Sequence, residues 1–412
     1  MTTLHHPPAL GVALLALKVL ADNAVTAAAW AAGVFSILFS LASIGAAVAF
    51  FRLRRKRPLD SAPAVTILKP LKGLDRELYE NLRSFCALDY PEYQILFTLS
   101  SADDPALPVL SRIREEFPEL DMEIIVSKSR IGYNPKINNV SNAAPFIKHG
   151  FLLMSDSDVR VQPDFLRRMM APFSDPSVGL VTAFYQATTP RGVWAGLEAL
   201  SVNAQFLPQA VVEAAFGMRF AMGAAVIARR EAFEASGGFR NMADHLADDF
   251  ILGEGIKAAG YRLEIADCVV ESLPDTGGVV EHLSHQFRWA RTIRICNPSG
   301  YLGTALLHGF SWLTLKIFLF GPDRVSIALA FGVLAAKALS KSAISRWCLG
   351  DRQRSLTTLL LPWSEWIAFA AWVSGFRSTP VVWRGEVYSV HPQGRLSPVR
   401  ARIDVTAPVA AP

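Results

Sequence analysis

The apolar and polar positions of this chain fall into two regimes. From Ala24 to Phe51 no side chain is charged; as a helix rising about 1.5 Å per residue this run reaches roughly 40 Å, enough for a tilted membrane span. Tyr301–Phe320 and Val325–Leu339 are further apolar runs, separated by Gly321-Pro322-Asp323-Arg324, which predicts a helical hairpin. A last apolar stretch, Leu356–Phe376, contains Pro362, Glu365 and the tryptophans 363, 366 and 372. Spanning and interfacial placements both fit it.

Between Pro58 and Pro298 the pattern changes. Val65–Leu68, Gln94–Leu99, Glu123–Val126 and Phe151–Met154 are short apolar runs ending at polar, Gly or Pro positions. Asp75–Phe85, Ala106–Glu116 and Lys136–Ala144 lie between them with helical periodicity. Such alternation predicts an α/β domain, strands forming a sheet with helices on both faces. Ligands bind such sheets outside the carboxyl ends of the strands, and Lys69, the Ser101–Asp104 loop and Asp156 are each expected just after a strand. Gly192–Phe216 is long and apolar but carries Glu198, Pro208 and Glu213. Two carboxylates in lipid would cost a few kcal/mol each, so an in-plane helix lining a groove is the easier reading. The predicted organisation is a flank (1–23), a transmembrane helix (24–51), the α/β domain (58–298), a transmembrane hairpin (301–340), a third apolar helix (356–376) and a tail (377–412).

Composition agrees with a membrane setting: 51% of the 412 residues are hydrophobic and only 19% are charged. The basic run Arg52-Leu-Arg-Arg-Lys-Arg57 follows the first apolar segment, whereas a signal peptide carries its basic residues ahead of the core. The positive-inside rule therefore puts the α/β domain in the cytoplasm, making an integral, multi-pass protein; in a bacterium that means the inner membrane. The net charge of +5 concentrates beside membrane runs and calls for no nucleic acid. The four cysteines show no CxxC spacing, so neither a zinc site nor a disulfide framework is expected. His282 and His285 stand one turn apart without a third metal-type partner nearby.

No GxGxxG follows the first strand and no GxxxxGK[ST] occurs, which removes dinucleotide-binding and P-loop chemistries. Asp156-Ser-Asp158 follows a buried run; in extended chain the two carboxylates share a side and can reach one hard cation, Mg²⁺ or Mn²⁺. Most isolated DxD matches are helix caps or turns, so position gives this one its weight. Asp248-Asp249 opens a helical pattern. One carboxylate there suits the helix dipole, and the other a general base. Arg288, Arg291 and Arg294 recur beside Trp289; they read as a basic helix on anionic lipid, or Arg288 reads as a fixed fork on a diphosphate with Trp289 against the acceptor or sugar. Lys136 reads either as a solvated lysine or as a phosphate contact at a helix start.

Taken in order, Lys69-Pro-Leu-Lys-Gly73, Leu88-Asp-Tyr-Pro91, Asn134-Pro-Lys-Ile-Asn-Asn139, Asp156-Ser157, Asp248-Asp249 and Arg288-Trp289 resemble the ceramide glucosyltransferase family. The resemblance runs collinearly over roughly residues 60–300. It implies a GT-A fold (a Rossmann-like mixed sheet with helices on both faces), of the family 2/21-like inverting glycosyltransferases. It further implies a UDP-sugar donor, a lipid acceptor in the bilayer, and Mg²⁺ or Mn²⁺ held by Asp156 and Asp158. By the same resemblance Asp249 is the base, Arg288 and Trp289 close the site, and Lys69, Ser101, Asp103, Asp104, Lys136, Asp156 and Asp248 surround the donor. Ser101 stands where that family usually has its first Asp, and His285 where its signature begins with Gln or Arg. His285–Arg294 and Asn297-Pro-Ser-Gly-Tyr301 are also similar to bacterial hopanoid-biosynthesis glycosyltransferases. A hexosyl transfer to ceramide is thus expected first, and N-acetylglucosaminyl transfer to a hopanoid second. A non-catalytic membrane scaffold that kept the fold is the expectation from another class.

Overall fold

The computed structural model describes residues 8–53, 59, 61–188, 191–348, 356–377, 380–383 and 386–399. Eight strands form one sheet: β1 Val65–Pro70, β2 Tyr93–Leu99, β3 Met122–Val126, β4 Phe151–Ser155, β5 Val159–Arg160, β6 Val178–Ala187, β7 Ala225–Arg229 and β8 Arg262–Ser272. Their order is β3-β2-β1-β4-β7-β6-β8-β5. The first four are parallel, β7 is antiparallel to both its neighbours, and β6 and β8 run parallel. The sheet is therefore mixed, as the GT-A expectation requires. The apolar alternation finds the first four strands, but the antiparallel insertion of β7 rests on pairings distant in sequence.

The helices are α1 Pro8–Val48, α2 Leu78–Cys86, α3 Leu107–Glu116, α4 Pro135–Ser141, α5 Phe165–Met170, α6 Gly192–Leu200, α7 Leu207–Ala215, α8 Arg230–Ala235, α9 Gly238–Met242, α10 Asp248–Ala258, α11 Val279–Cys296, α12 Pro298–Gly303, α13 Gly309–Phe320, α14 Arg324–Ala343 and α15 Leu361–Ser374. Successive strand residues point to opposite faces. Ile67, Ile95, Phe97 and Leu153 pack on Leu82 and Phe85 of α2, Leu110 of α3 and Phe165 of α5. Their neighbours Leu68, Leu96, Leu152 and Met154 pack on Ile137 of α4, Met242 of α9 and Leu252 of α10. Residues 65–71 are buried throughout, as a central parallel strand covered on both faces must be.

Among the described residues, three helices are long and apolar enough to cross a membrane: Asp22–Leu53, Pro298–Phe320 and Arg324–Arg346. Small residues let them approach closely. A Cβ on Gly309 would meet the Ala32 carbonyl at 2.7 Å, and one on Gly33 would meet Leu313 at 2.7 Å. Ser43 and Ser340 hydroxyls lie 2.6 Å apart across α1 and α14. The hairpin turn holds because Asp323 accepts from Ser326 N at 2.8 Å and from Lys316 Nζ at 2.7 Å. With 14 residues, α15 reaches about 21 Å, less than the roughly 30 Å hydrocarbon core. Its buried Glu365 pairs with Lys337 of α14 at 2.6 Å.

The segment expected to be a tail instead folds, between residues 381 and 398, into an antiparallel sheet of β9 Val381–Trp383, β10 Glu386–Val390 and β11 Leu396–Pro398. Residues 400–412 lie outside the described part. This small sheet docks on the loop before α10: Leu246 N donates to Gly394 O at 2.9 Å and Leu396 N to Asp244 O at 2.7 Å. Val381, Tyr388 and Leu396 bury against Leu246.

Candidate active site

The chain leaves β1 toward β2 and β3, then returns to place β4 on the other side of β1. Crevices form at such reversals, beyond the strand carboxyl ends. A pocket of about 460 Å³ lies there, lined by Pro70 at the end of β1, Ser100 after β2, Ser127 and Arg130 after β3, Lys136 of α4 and Asp156 after β4. Lys136 is its electrostatic centre, 2.8 Å from Asp156 Oδ1 and 3.4 Å from Asp248 Oδ2. Burial alone would lower its pKa, but the charges of Asp156 and Asp248 outweigh that and raise it. Residues from three distant parts of the chain thus meet on one ammonium.

The Asn-Pro-Lys-Ile-Asn-Asn motif is mostly a scaffold for that lysine. Asn134 caps α4 by accepting from Ile137 N at 3.0 Å and donates to the His245 carbonyl at 2.8 Å. Asn138 accepts from Ile131 N and Gly132 N at 2.8 and 3.0 Å. Asn139 donates to the Leu71 and Thr98 carbonyls at 3.0 and 2.9 Å, tying the ends of β1 and β2 together. The backbone groups freed at these strand ends are buried and need such partners. Lys136 is the motif's charged group in the pocket, turned to its acids.

Asp158 accepts from the Ser272 hydroxyl at 3.0 Å, and burial beside the Asp156 charge pushes its carboxyl up to about 6. Its neighbour Asp156 lines the pocket with 39% of its side chain exposed. Oxygen-only donors of this kind suit a hard divalent cation completed by phosphate oxygens. Among the described residues no group of three or more His, Cys, Asp or Glu forms a self-sufficient metal cage.

The acidic pair at the start of α10 divides its attention. Asp248 turns to Lys136, and its Oδ1 lies 3.5 Å from Asn134 Nδ2. Asp249 instead lines a second cavity of about 690 Å³. Burial, with the adjacent Asp248 charge, pushes Asp249 up to about 6. Gly223 permits its placement, since a Cβ there would lie 3.1 Å from Asp249 Oδ2. The cavity is mostly apolar. It runs past Ala204, Phe206 and Pro208 of the α6–α7 segment, Trp289 and Ile293 of α11, Tyr301, and Ala371 of α15, to Phe39 of α1. The segment predicted as an in-plane, groove-lining helix is found as α6, a π-helical turn at Ser201–Phe206, and α7.

Glu198 is not left in lipid. It is buried in α6 with His282 Nδ1 at 2.8 Å and His285 Nδ1 at 2.6 Å, and it accepts from Gln286 Nε2 at 3.1 Å. Burial would raise its pKa, but the two imidazoles outweigh burial and bring it down to about 2. The His282/His285 pair is therefore a clamp between α6 and α11. The His285 ring stands edge-on to Trp289 at 4.6 Å, and Trp289 packs on Ala187, Ala199 and Val202. Arg288 is half-buried on the same helix. Arg291 donates to the Arg377 carbonyl at 3.1 Å and Arg294 to the Gly375 carbonyl at 2.8 Å, capping the end of α15.

Several residues expected around the donor sit elsewhere. Lys69 lies within β1 rather than after it, fully buried; its Nζ donates to the Asp156 carbonyl at 2.5 Å and rests 3.8 Å from the Phe85 ring. Burial pushes this ammonium down to about 7, against the pull of Asp156. It braces the acidic loop from below. Asp104 is buried and accepts from Gly73 N at 3.0 Å and Ala106 N at 3.0 Å, so it shapes the loop. Asp103 is exposed, with its N–H donating to Ser101 Oγ at 3.2 Å, and Ser100 rather than Ser101 lines the pocket. Conversely, Ser127, Arg130, Glu386 and Tyr388 line it without having been expected there. Glu386 lies between Trp383-Arg-Gly385 and Tyr388, a stretch that resembles the same broader group of transferases, but that pattern assigns Glu386 no role. The buried role of Glu198 was equally hidden, although a lone carboxylate in an apolar run is a signal that it has a partner.

Comparison with known proteins bears on the family of the chain. Ceramide glucosyltransferase 3 of Caenorhabditis elegans is 28% identical over 243 residues, covering 58% of this chain and 53% of that protein. A ceramide glucosyltransferase of Gibberella zeae is 34% identical over 144 residues, covering 31% and 27%. The chain spans about half the length, or less, of these curated relatives. A solved mannosyltransferase from Pyrobaculum calidifontis, in complex with GDP-Man and Mn²⁺, superposes with a TM-score of 0.49 at 18% identity, covering 84% of this chain and 97% of that one. That likeness is too loose to carry a functional argument. The sequence pattern of glycosyl transferase family 21 matches residues 28–396, nearly the whole chain, and the protein belongs to that family.

Proposed function

We propose that this protein transfers a hexose from a UDP-sugar to the hydroxyl of a membrane lipid, with ceramide as acceptor and glucose as sugar. One observation carries the reading: adjacent carboxylates at the head of α10 face different compartments. Asp248 pairs with Lys136, which lines the polar pocket beside Asp156, and Asp249 lines the apolar cavity that extends among the candidate membrane helices. A transferase joining a water-soluble donor to a lipid needs both compartments to meet at a base. The names of the relatives, ceramide glucosyltransferases, support the choice of acceptor.

In this mechanism the lipid hydroxyl enters from the cavity and hydrogen-bonds to Asp249. The carboxylate takes its proton as the oxygen attacks the anomeric carbon, on the face opposite the departing diphosphate. The glycosidic C–O bond forms while the bond to the β-phosphate oxygen breaks, and UDP leaves with the electron pair. Lys136 stands where that charge accumulates. Asp156 and Asp158 would hold Mg²⁺ or Mn²⁺, which supplies Lewis-acid neutralisation of the diphosphate when bound. Trp289 fixes the acceptor side against a rigid wall, itself clamped through His285 and Glu198. The basic run after the first candidate span, read by the positive-inside rule, supports a site at the cytoplasmic face of the membrane.

The test is direct. Membranes containing the chain are incubated with radiolabelled UDP-glucose or UDP-N-acetylglucosamine and with ceramide or a polyhydroxylated hopanoid. Label in glucosylceramide is the expected result. Label in the hopanoid alone moves the acceptor, and label in neither lipid overturns the proposal.

A further inference from the structure

We infer that Glu386, carried by the C-terminal sheet, accepts the ribose hydroxyls of the donor nucleotide, so that this sheet is a functional wall of the polar pocket. The inference rests on reading that pocket as the nucleoside diphosphate site. The pocket is lined by two carboxylates, Asp156 and Glu386. They sit at different strands. Asp156 follows β4, whereas Glu386 is paired with Arg130, which follows β3, at 3.3 Å. In the order β3-β2-β1-β4 those strands are three steps apart, about 14 Å at the usual strand spacing. A diphosphate is drawn to Lys136 at the β4 end, and a carboxylate beside it would repel it. At the β3 end the same carboxylate meets the uncharged nucleoside. An acidic side chain accepting from vicinal ribose hydroxyls is the arrangement other nucleotide-binding α/β folds use.

The surroundings of Glu386 fit that role. Its carboxylate accepts from the Tyr388 hydroxyl, and this bond, with the Arg130 charge, holds its pKa below the ordinary carboxylate range. A carboxylate offers about four acceptor positions, so those two contacts leave capacity for ligand hydroxyls. Tyr388 is buried at 3% exposure, and the sheet is bonded at both Gly394 and Leu396 to residues 244–246, which lead straight into Asp248 and Asp249. Asp244 also accepts from Tyr133 N at 3.0 Å, next to the α4 cap. The wall is thus tied to the same frame that holds Lys136. Other acids near the β2 end are committed elsewhere: Asp104 caps its loop and Asp103 faces solvent.

The experiment compares UDP with 2′-deoxy-UDP by calorimetry on the full chain in detergent, for wild type, Glu386→Gln and Arg130→Ala. Wild type is expected to prefer UDP by about tenfold, the scale of one hydrogen bond to a charged acceptor. Glu386→Gln should weaken UDP binding by that factor and leave 2′-deoxy-UDP unchanged, erasing the preference. Arg130→Ala, which keeps the carboxylate, should retain it. An unchanged preference in Glu386→Gln overturns the inference. So does equal loss of both nucleotides, which marks a structural role. A wild type that binds neither nucleotide sinks the donor reading of the pocket itself.

Discussion

The polar pocket and the apolar cavity are built by opposite means. The polar pocket is made from loops at the ends of β1 to β4, and its order comes from hydrogen bonds. Asn134, Asn138, Asn139 and Asp104 satisfy backbone groups so that Lys136 and Asp156 can face each other. The apolar cavity is made from helices, and its order comes from packing and one buried ionic clamp, Glu198 with two histidines. Rigid polar contacts place charges to within hydrogen-bond tolerance, which a diphosphate requires. Packed helices define a volume, which is what a lipid chain requires. Asp248 and Asp249 stand at the seam, one committed to each side.

Replacing the base should separate the two sides most sharply. Asp249→Asn is expected to lower turnover by about 10²–10⁴-fold while UDP binding stays near wild type. The same variant removes a carboxylate held up to about 6 by burial and by Asp248. Because its folded pKa lies above the unfolded value, the ionised form costs stability at neutral pH; that cost starts to shrink as pH falls below about 6 and is gone only below the unfolded carboxylate value of about 4. The Asn variant should therefore melt higher at pH 7.5, with the gap narrowing at pH 5. For the wild type the sign on activity is opposite, since the base works only when ionised, so turnover should fall below about pH 6. Unchanged turnover in Asp249→Asn would favour a scaffold that kept the fold.

A smaller effect is expected from filling the apolar cavity. Ala368→Trp on α15 projects bulk into the volume lined by Ala368, Ala371 and Trp289. It should raise the lipid KM about tenfold, the scale of a pocket contact, with UDP affinity unchanged. Equal losses on both substrates would show that the cavities are not separate compartments.

The smallest effect is expected at the clamp. Glu198→Gln keeps its shape but removes the anion shared by His282 and His285. A loss of about 1–2 kcal/mol of stability is expected, read from the thermal midpoint. A few-fold rise in lipid KM should follow as Trp289 loses its support. Wild-type lipid kinetics in this variant would show that α11 positions Trp289 without Glu198.

How much of this was legible in the chain follows from the range of each interaction. The first four strands, the three candidate spans and the start of α10 are announced by local periodicity and by breaks in it, and the structure places them within a few residues of those signals. The Asp156 and Asp248 neighbourhood was also legible, because collinear motifs name the residues without saying how they meet. Lys69 and Asp104 show the limit. A charged residue near a strand end looks the same in sequence whether it faces a ligand or satisfies a loop, and burial alone distinguishes the two. The distal arginines are similar: their spacing described a face, and only the arrival of α15 revealed carbonyls waiting on it.

Sequence alone determined the membrane setting, the α/β alternation and the inventory of acids and cations, because each depends on residue type and short spacing. Tertiary structure decided that Asp156 and Glu386 line one pocket, that neighbour 248 turns to Lys136 while 249 lines the apolar cavity, and that the C-terminal sheet comes back to the ends of the parallel strands. Those outcomes depend on contacts closed over tens to hundreds of residues, where the energy of burial and pairing, not local pattern, selects the partner.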